Sequence, residues 1–236
     1  MPTNHISAWS ISRLFDFESC PHRLYLRYIA KAEMPEFDAD HPLKRGLRIH
    51  KEVEQYINGA TEDFPSSGKK LQGELDICRY AYMDGIATVE EQWGFNENWE
   101  SVGWWDDSVW LRVATDCYVT PGKDEAIIYD WKTGKSFGNE VKYTQQGQLY
   151  AIGAFMRDPD LEHVVVTFGF LDDGKLRTKH YERGAKLNKL IAKFTERGTR
   201  LTSCVDFRPK PNVMNCKWCP FGPGGTNACI YGASPL

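Results

Sequence analysis

The spacing of apolar residues changes along this 236-residue chain, and each change marks an element. Near the start, Ser10 or Ser12 can cap a short helix. The stretch "CPHRLYLRYIAK" continues as an amphipathic helix, with Pro21 in its first turn and Leu24, Tyr25 and Tyr28 on one side. After the loop "MPEFDADHP", Leu43, Leu47, Val53 and Ile57 recur at roughly helical spacing until Asn58-Gly59 stops the helix. The polar stretch "TEDFPSSGKK" leads to a third predicted helix, around Gln72 to Gln92.

Beyond that point the period drops to two. "VWLRVATDCYV" and "AIIYDWKT" alternate as two strands joined by the turn "TPGKDE", which predicts a β-hairpin in mid-chain. A helix from about Val141 to Met156, strands at "HVVVTFGFL" and "KLRTKHYE" around Asp172-Asp173-Gly174, and a helix from Ala185 to about Thr202 complete the pattern. No repeat, low-complexity tract or linker interrupts it. The expectation is one α/β domain, residues 1–236, whose two ends carry cysteines.

Composition fits such a domain, since 42% hydrophobic residues and 13% aromatics suffice for a packed core. The N-terminus has no basic start followed by an apolar run, and no stretch approaches the roughly 20 apolar residues that cross a bilayer. These features predict a soluble, cytoplasmic protein with no membrane partner. A net charge of -3 speaks against a protein that coats nucleic acid, but allows a basic channel on an acidic body.

The segment "IIYDWKTGKS" carries two competing signals. Its end resembles a P-loop, but the position that must be the first glycine is Tyr129, which cannot open the backbone toward a phosphate. Its middle holds Asp130 and Lys132, two apart on a strand and therefore on one face, with Ile127, Tyr129 and Trp131 on the other. On the preceding strand Arg112, Ala114 and Asp116 share a face, and a favourable register would set Asp116 across from Asp130. Two carboxylates and a lysine suit phosphodiester hydrolysis. The carboxylates hold Mg²⁺ or Mn²⁺, and the ammonium orients water or meets charge growing on the phosphoryl oxygens. Taken alone, the D-x-K triplet is better explained as a solvated salt bridge on a sheet face.

Seven cysteines cannot all pair within one chain, and a cytoplasmic setting favours ligands or buried thiols over disulfides. Cys216-x2-Cys219, with Cys229 and the distant Cys20, makes a set of four. Such a set can close a tetrahedral Zn²⁺ site or hold a [4Fe–4S] cluster, and unrelated buried thiols are the plainer alternative. Cys78 and Cys117 read as core residues, and Cys204 as a substitute ligand.

The order of "HISAWSISRLFDFESCPHRLYLRYI", "GLRIHKEVE", "TDCYV", "IIYDWKTGK" and "QGQLYA" resembles RecB-like nucleases of the PD-(D/E)XK superfamily. The likeness is greatest to the iron–sulfur members, such as CRISPR adaptation exonucleases and AddB-type nuclease domains. It implies a restriction-endonuclease-like mixed sheet flanked by helices, with the N- and C-terminal segments joined by a cysteine metal centre. In that scheme residues 1–31 and 204–236 form the metal-cluster lobe and 43–203 the nuclease core.

The resemblance further implies that Asp116, Asp130 and His50 bind metal, that Lys132 is the catalytic lysine, and that Gln146 and Tyr150 border the site and contact the DNA strand. Asp130 stands where many relatives have glutamate, and Val113 and Ala114 where many have glycine. Cys20, Cys216, Cys219 and Cys229 match the cluster cysteines, which favours [4Fe–4S] over Zn²⁺. By residue type alone, His50 is equally a helix-surface histidine, and Gln146 with Tyr150 a common pair on one helical face.

Two further features concern DNA. Lys186, Lys189, Lys193, Arg197 and Arg200 form a basic ridge on the last long helix, and the tryptophans of "WGFNENWESVGWWDDSVW" either stack on unpaired bases or pack a sheet face. The expected function is a metal-dependent DNase, an exonuclease on single-stranded or free-ended DNA, with a protein partner in a recombination, replication or CRISPR adaptation complex. A non-catalytic DNA-end-binding or assembly subunit with the nuclease fold is the alternative, and a zinc-stapled interaction protein the remaining one.

Overall fold

The computed structural model describes residues 5–233. Two short helices, α1 (Ile11–Ser19) and α2 (Pro21–Tyr28), precede α3 (Pro42–Ile57) and α4 (Gln72–Met83). Strands β1 (Ala87–Phe95), β2 (Ser101–Val102), β3 (Leu111–Val119) and β4 (Glu125–Lys132) follow. Helix α5 (Glu140–Arg157) then leads to β5 (His163–Phe170), β6 (Lys175–Glu182), α6 (Ala185–Thr202) and the short α7 (Val213–Lys217). The six strands form one mixed sheet in the order β2-β1-β3-β4-β5-β6. Only β4 and β5 run parallel, with α5 as the crossover that parallel strands require.

Helices cover both faces. On one, Trp9, Leu14 and Leu24 from the N-terminal segment join Ile128, Phe155, Phe168 and Phe194. On the other, Ile49, Val53 and Ile57 of α3 and Leu75 and Cys78 of α4 pack on Cys117 and Trp131. Strand β4 lies between these layers, so its alternation sends Ala126 and Ile128 one way and Ile127, Tyr129 and Trp131 the other. No helix among the described residues is long and apolar enough to cross a membrane.

The expected helix from Gln72 to Gln92 is corrected: α4 ends at Met83, and Ala87–Phe95 is a strand. Gly85, at a φ of 73°, closes α4 in the left-handed region that glycine adopts without strain, and its N–H donates to the Tyr82 carbonyl. A second correction concerns Leu43 and Leu47, which face outward on α3 while Ile49, Val53, Tyr56 and Ile57 make its buried side.

A proline shapes the N-terminal end. The residue before a proline is driven from helical to extended backbone, and Cys20 takes φ -159° and ψ 105°, ending α1 and starting α2. Cys20 thereby leaves the helical path, and its sulfur accepts the Lys210 amide at 3.4 Å. Asn215 Nδ2 donates to the Ser19 carbonyl at 3.1 Å, so the C-terminal segment lies against the α1–α2 corner. In the expected two-ended lobe, positions 1–4 and 234–236 lie outside the described residues.

Candidate active site

The site lies where the sheet forks. β3 and β4 pair only from Cys117↔Tyr129 to Val119↔Ile127, and beyond that the strands separate. A buried amide at such a fork needs a partner. The carboxylate of Asp116 supplies it, with Oδ2 accepting the Trp131 N–H at 2.6 Å. On the side of β3 that β4 has left, Trp9 takes up backbone pairing: its N–H donates to Trp110 and its carbonyl accepts from Arg112. Extending the register past Cys117↔Tyr129 sets Asp116 opposite Asp130, as the sequence pattern requires.

A second irregularity coincides with the fork. The β1–β3 ladder runs at constant register but skips the Glu90–Asp116 position, where Glu90 adopts a left-handed φ of 51°. The faces of both strands exchange there. Val89 and Cys117 pack against α3 and α4, whereas Trp93 and Val113 pack on the opposite layer. Such strain at a non-glycine residue persists only where surrounding structure imposes it, and it is found most often at functional sites.

His50, on the third turn of α3, reaches Asp116, with Nδ1 3.3 Å from Oδ1. One ligand atom each of His50, Glu90 and Asp116 lies within 4.8 Å of the others, close enough to share one ion. Burial opposes charge on His50, but the hydrogen bond to Asp116 and the charges of Asp116 and Asp130 outweigh it and raise its pKa. Glu90 is exposed outwardly but crowded on its inner side. Desolvation there and the Asp116 and Glu54 charges push its carboxyl up.

Asp130 is 2% exposed. Its Oδ1 accepts from Tyr150 Oη at 2.6 Å and from Gln146 Nε2 at 3.0 Å, and Gln146 also donates to Tyr150 at 2.7 Å. The four-residue spacing on α5 puts both side chains on one face for this purpose. Lys132 Nζ lies 2.5 Å from Oδ2 as an ion pair, yet that buried oxygen receives no directed hydrogen bond. Burial and the Asp116 charge hold the Asp130 carboxyl above its usual range, against the pull of Lys132. Burial disfavours the Lys132 ammonium, but Asp130 and Asp116 more than compensate, so the amine stays protonated. Tyr150 is likewise driven up, by burial and then by Asp130.

The donor set fits a divalent cation. An imidazole and two carboxylates, those of Glu90 and Asp116, come close enough to share an ion, and Asp130 lies beside them with its Oδ2 held only by the Lys132 ion pair. The structure thus brings together all six residues expected from the sequence, His50, Asp116, Asp130, Lys132, Gln146 and Tyr150. It adds Glu90, which had been placed in a helix.

The cysteines behave differently. Cys20, Cys216, Cys219 and Cys229 line one cavity of about 20 Å³ with Ser19, Arg23 and Tyr231. Among the described residues, however, no three of their sulfurs lie within 4.8 Å of one another. The four cysteines expected at a metal centre are thus free thiols at the wall of one shared cavity, spaced more widely than a single small ion would hold them. Burial raises the Cys219 thiol's pKa, which favours its protonated form. Cys204 is not part of the cavity lining, while Cys78 and Cys117 are fully buried.

On α6, Lys186, Lys189, Lys193 and Arg200 are exposed, but Arg197 is not part of a solvent ridge. It clamps Glu18 at 2.7 Å through two nitrogens and also donates to Gln145. Trp93, Trp99 and Trp110 are core residues, whereas Trp105 is 81% exposed.

A mixed six-stranded sheet flanked by helices, with acidic groups gathered at its fork, is a restriction-endonuclease-like fold. The chain belongs to the PD-(D/E)XK nuclease superfamily, whose family model matches residues 8–79 and 82–223. Similar solved structures include the protein SSO0001, at 13% identity and a TM-score of 0.47, covering 97% of this chain and 89% of that one. A phage-related exonuclease from Haemophilus somnus 129PT matches at 13% identity and TM-score 0.34, over 84% and 94% of the two chains. LHK-Exo of Laribacter hongkongensis, in complex with dAMP, matches at 11% identity and TM-score 0.35, over 83% and 86%. No curated protein is significantly similar in sequence.

Proposed function

We propose that the chain is a Mg²⁺- or Mn²⁺-dependent deoxyribonuclease that degrades single-stranded DNA from its ends. The observation that carries this reading is the convergence of Asp116 and Asp130 with the Lys132 ammonium at the sheet fork. His50, Glu90 and Asp116 would hold the ion, with Oδ2 of Asp130 shared between it and Lys132, and the imidazole favours Mn²⁺ more than an all-oxygen set would. The bound ion supplies Lewis-acid polarisation of the phosphodiester and makes water more acidic.

The chain's own groups do the rest. Lys132, kept as an ammonium by its two aspartates, donates hydrogen bonds to the attacking water or to phosphoryl oxygens that gain charge. Tyr150 and Gln146 fix the rotamer of Asp130 by occupying its Oδ1, so that Oδ2 is the oxygen left for the ion. The preference for strand ends rests on the resemblance of the motif order to CRISPR adaptation exonucleases. A DNA-end-binding subunit without catalysis is disfavoured by the intact set of acidic, imidazole and amine groups.

The test is an end-labelled degradation series on single-stranded, duplex and end-blocked DNA, with Mn²⁺ or with chelator. Stepwise shortening of unblocked single strands only with metal is the expected result. Metal-independent cutting, or none at all on any substrate, would remove the reading.

The same reading extends to the cysteine cavity as a [4Fe–4S] site. A single tetrahedral Zn²⁺, with Zn–S near 2.3 Å, would draw all four sulfurs to about 3.8 Å of one another. A cluster binds each sulfur to a separate iron, and the wider spacing here suits it better. Anaerobically purified protein is expected to be brown and to contain iron, and a Cys216→Ser variant to lose both properties. Colourless, iron-free wild-type protein would exclude the cluster.

A further inference from the structure

Beside the fork runs an open groove of about 500 Å³ between the N-terminal helix and the start of β3. Trp104, Trp105, Arg13 and Arg112 line it, and at one end it reaches Ala114, Gln146 and Tyr150. Tyr150 and Gln146 also hold Asp130, so one end of the groove is built by the side chains that border the carboxylate site.

Two properties of the lining identify its occupant. The first is uncompensated positive charge in a chain whose net charge is -3. No acidic residue lines the groove. The side chains of Arg13 and Arg112 donate to the backbone carbonyls of Ala8 and Trp104, at 2.5 and 2.9 Å, and among the described residues neither pairs with a carboxylate. Burial first, and then the nearby charge of Arg13, lower the pKa of Arg112, and an anion between the two guanidinium groups would relieve their repulsion.

The second property is an aromatic face offered to solvent. Trp105 is 81% exposed, in contrast to the core residues Trp93, Trp99 and Trp110. It is also held in place, because the Arg112 guanidinium lies 5.1 Å from the Trp105 ring and 5.6 Å from the Trp104 ring. The two rings stand edge to face at 86°. A chain that alternates anionic groups with flat unpaired rings matches both properties. Phosphates would meet the arginines and a base would stack on Trp105. Duplex DNA offers no free base face, and an acidic peptide has no comparable ring.

We infer that Trp105, with Trp104, Arg112 and Arg13, forms a stacking platform that holds an unpaired nucleic-acid strand and feeds it to Asp130. This rests on the nuclease reading only for the strand's destination. These are positioning residues, and they explain selection of single strands at the level of binding.

The test is equilibrium binding of fluorescein-labelled oligothymidylate and of duplex DNA, in chelator so that nothing is cut. Trp105→Ala is expected to weaken single-strand binding about 5- to 150-fold and duplex binding far less. Trp105→Phe should restore most of the loss, since it returns a ring. Arg112→Ala should lower the salt slope of single-strand binding by about 0.7, one phosphate's share. Trp105 is exposed, so unchanged melting temperatures are expected to exclude misfolding.

Unchanged single-strand affinity in Trp105→Ala overturns the platform, as does equal loss on duplex, no rescue by phenylalanine, or stronger binding of an acidic peptide than of the oligonucleotide. Wild-type protein that cuts DNA with Mn²⁺ but binds it independently of Trp105 overturns the platform alone. Trp105-dependent binding without any cutting supports the platform and overturns the nuclease reading.

Discussion

Lys132→Ala protein is expected to cut DNA about 10²–10³-fold more slowly than wild type, the usual loss when one preorganised charged donor is removed from a transition state. Asp130→Asn should lose at least as much, because it removes the negative charge that pairs with Lys132 and that the proposed ion would meet. The two variants should then differ in metal binding. Asp130→Asn weakens the rise in melting temperature produced by Mn²⁺, whereas Lys132→Ala leaves that rise intact or enlarges it by removing a competing cation. Lys132→Arg should not rescue cleavage. Its planar fork carries five donors where the site offers room for one compact ammonium, between Asp130 and the face of Phe168, 5.7 Å away. A purely structural ion pair would behave otherwise. Lys132→Met keeps the aliphatic stem and should melt within a few degrees of wild type, so normal cutting by such a folded variant would end the proposed mechanism.

How far the sequence reveals this site depends on which forces act locally. Asp130 and Lys132 are readable because strand alternation is set by backbone geometry, and the hairpin register sets Asp116 opposite Asp130 although the faces of β3 exchange at that position. The buried two-sided pattern of β4 is equally plain in "AIIYDWK". Glu90 is not readable in the same way. The segment "ATVEEQWGF" contains three consecutive residues, Glu90-Glu91-Gln92, that favour helix, and it follows a true helix after a short turn. It becomes a strand because β3 offers it eight paired positions, a non-local reward that periodicity cannot register. The one available signal was Gly85, a helix stop placed before Ala87 and Val89 begin to alternate.

The tryptophan-rich segment shows the same division. Spacing could not separate core rings from surface rings, since Trp99, Trp104, Trp105 and Trp110 all lie between β1 and β3. Packing separates them: Trp99 and Trp110 anchor to α6 through hydrogen bonds to Thr195 and Thr202, while Trp105 extends past the layer. The basic ridge on α6 was overdrawn for a related reason. Helical spacing identifies a face, but it cannot identify that Glu18, far away in the chain, draws Arg197 inward.

The corner between α1 and α2 should be the most sensitive point outside the site. Asp16 is 5% exposed and meets Arg23, with Arg27 Nη1 at 3.4 Å on its other oxygen. Removing one partner of a buried pair strands the opposite charge, which costs about 3–5 kcal/mol. Because the side chains of Arg23 and Arg27 keep 25% and 42% exposure, the lower end applies to Asp16→Ala. A loss of about 3 kcal/mol in a chain of this size lowers the melting temperature by roughly 6–12 °C. Adding Arg23→Met should recover much of it, since an apolar pair of similar volume replaces a salt bridge at little net cost. A drop much smaller than that range, or no recovery in the double variant, would show that the pair is not what secures the corner. The effect should also reach the cysteine cavity. Arg23 and Cys219 line it together, so releasing Arg23 should lower the iron content expected of the proposed cluster although every cysteine is retained. Since Pro21 fixes Cys20 in extended backbone between the two helices, loosening the Asp16–Arg23 contact frees the one cysteine that comes from the opposite end of the chain.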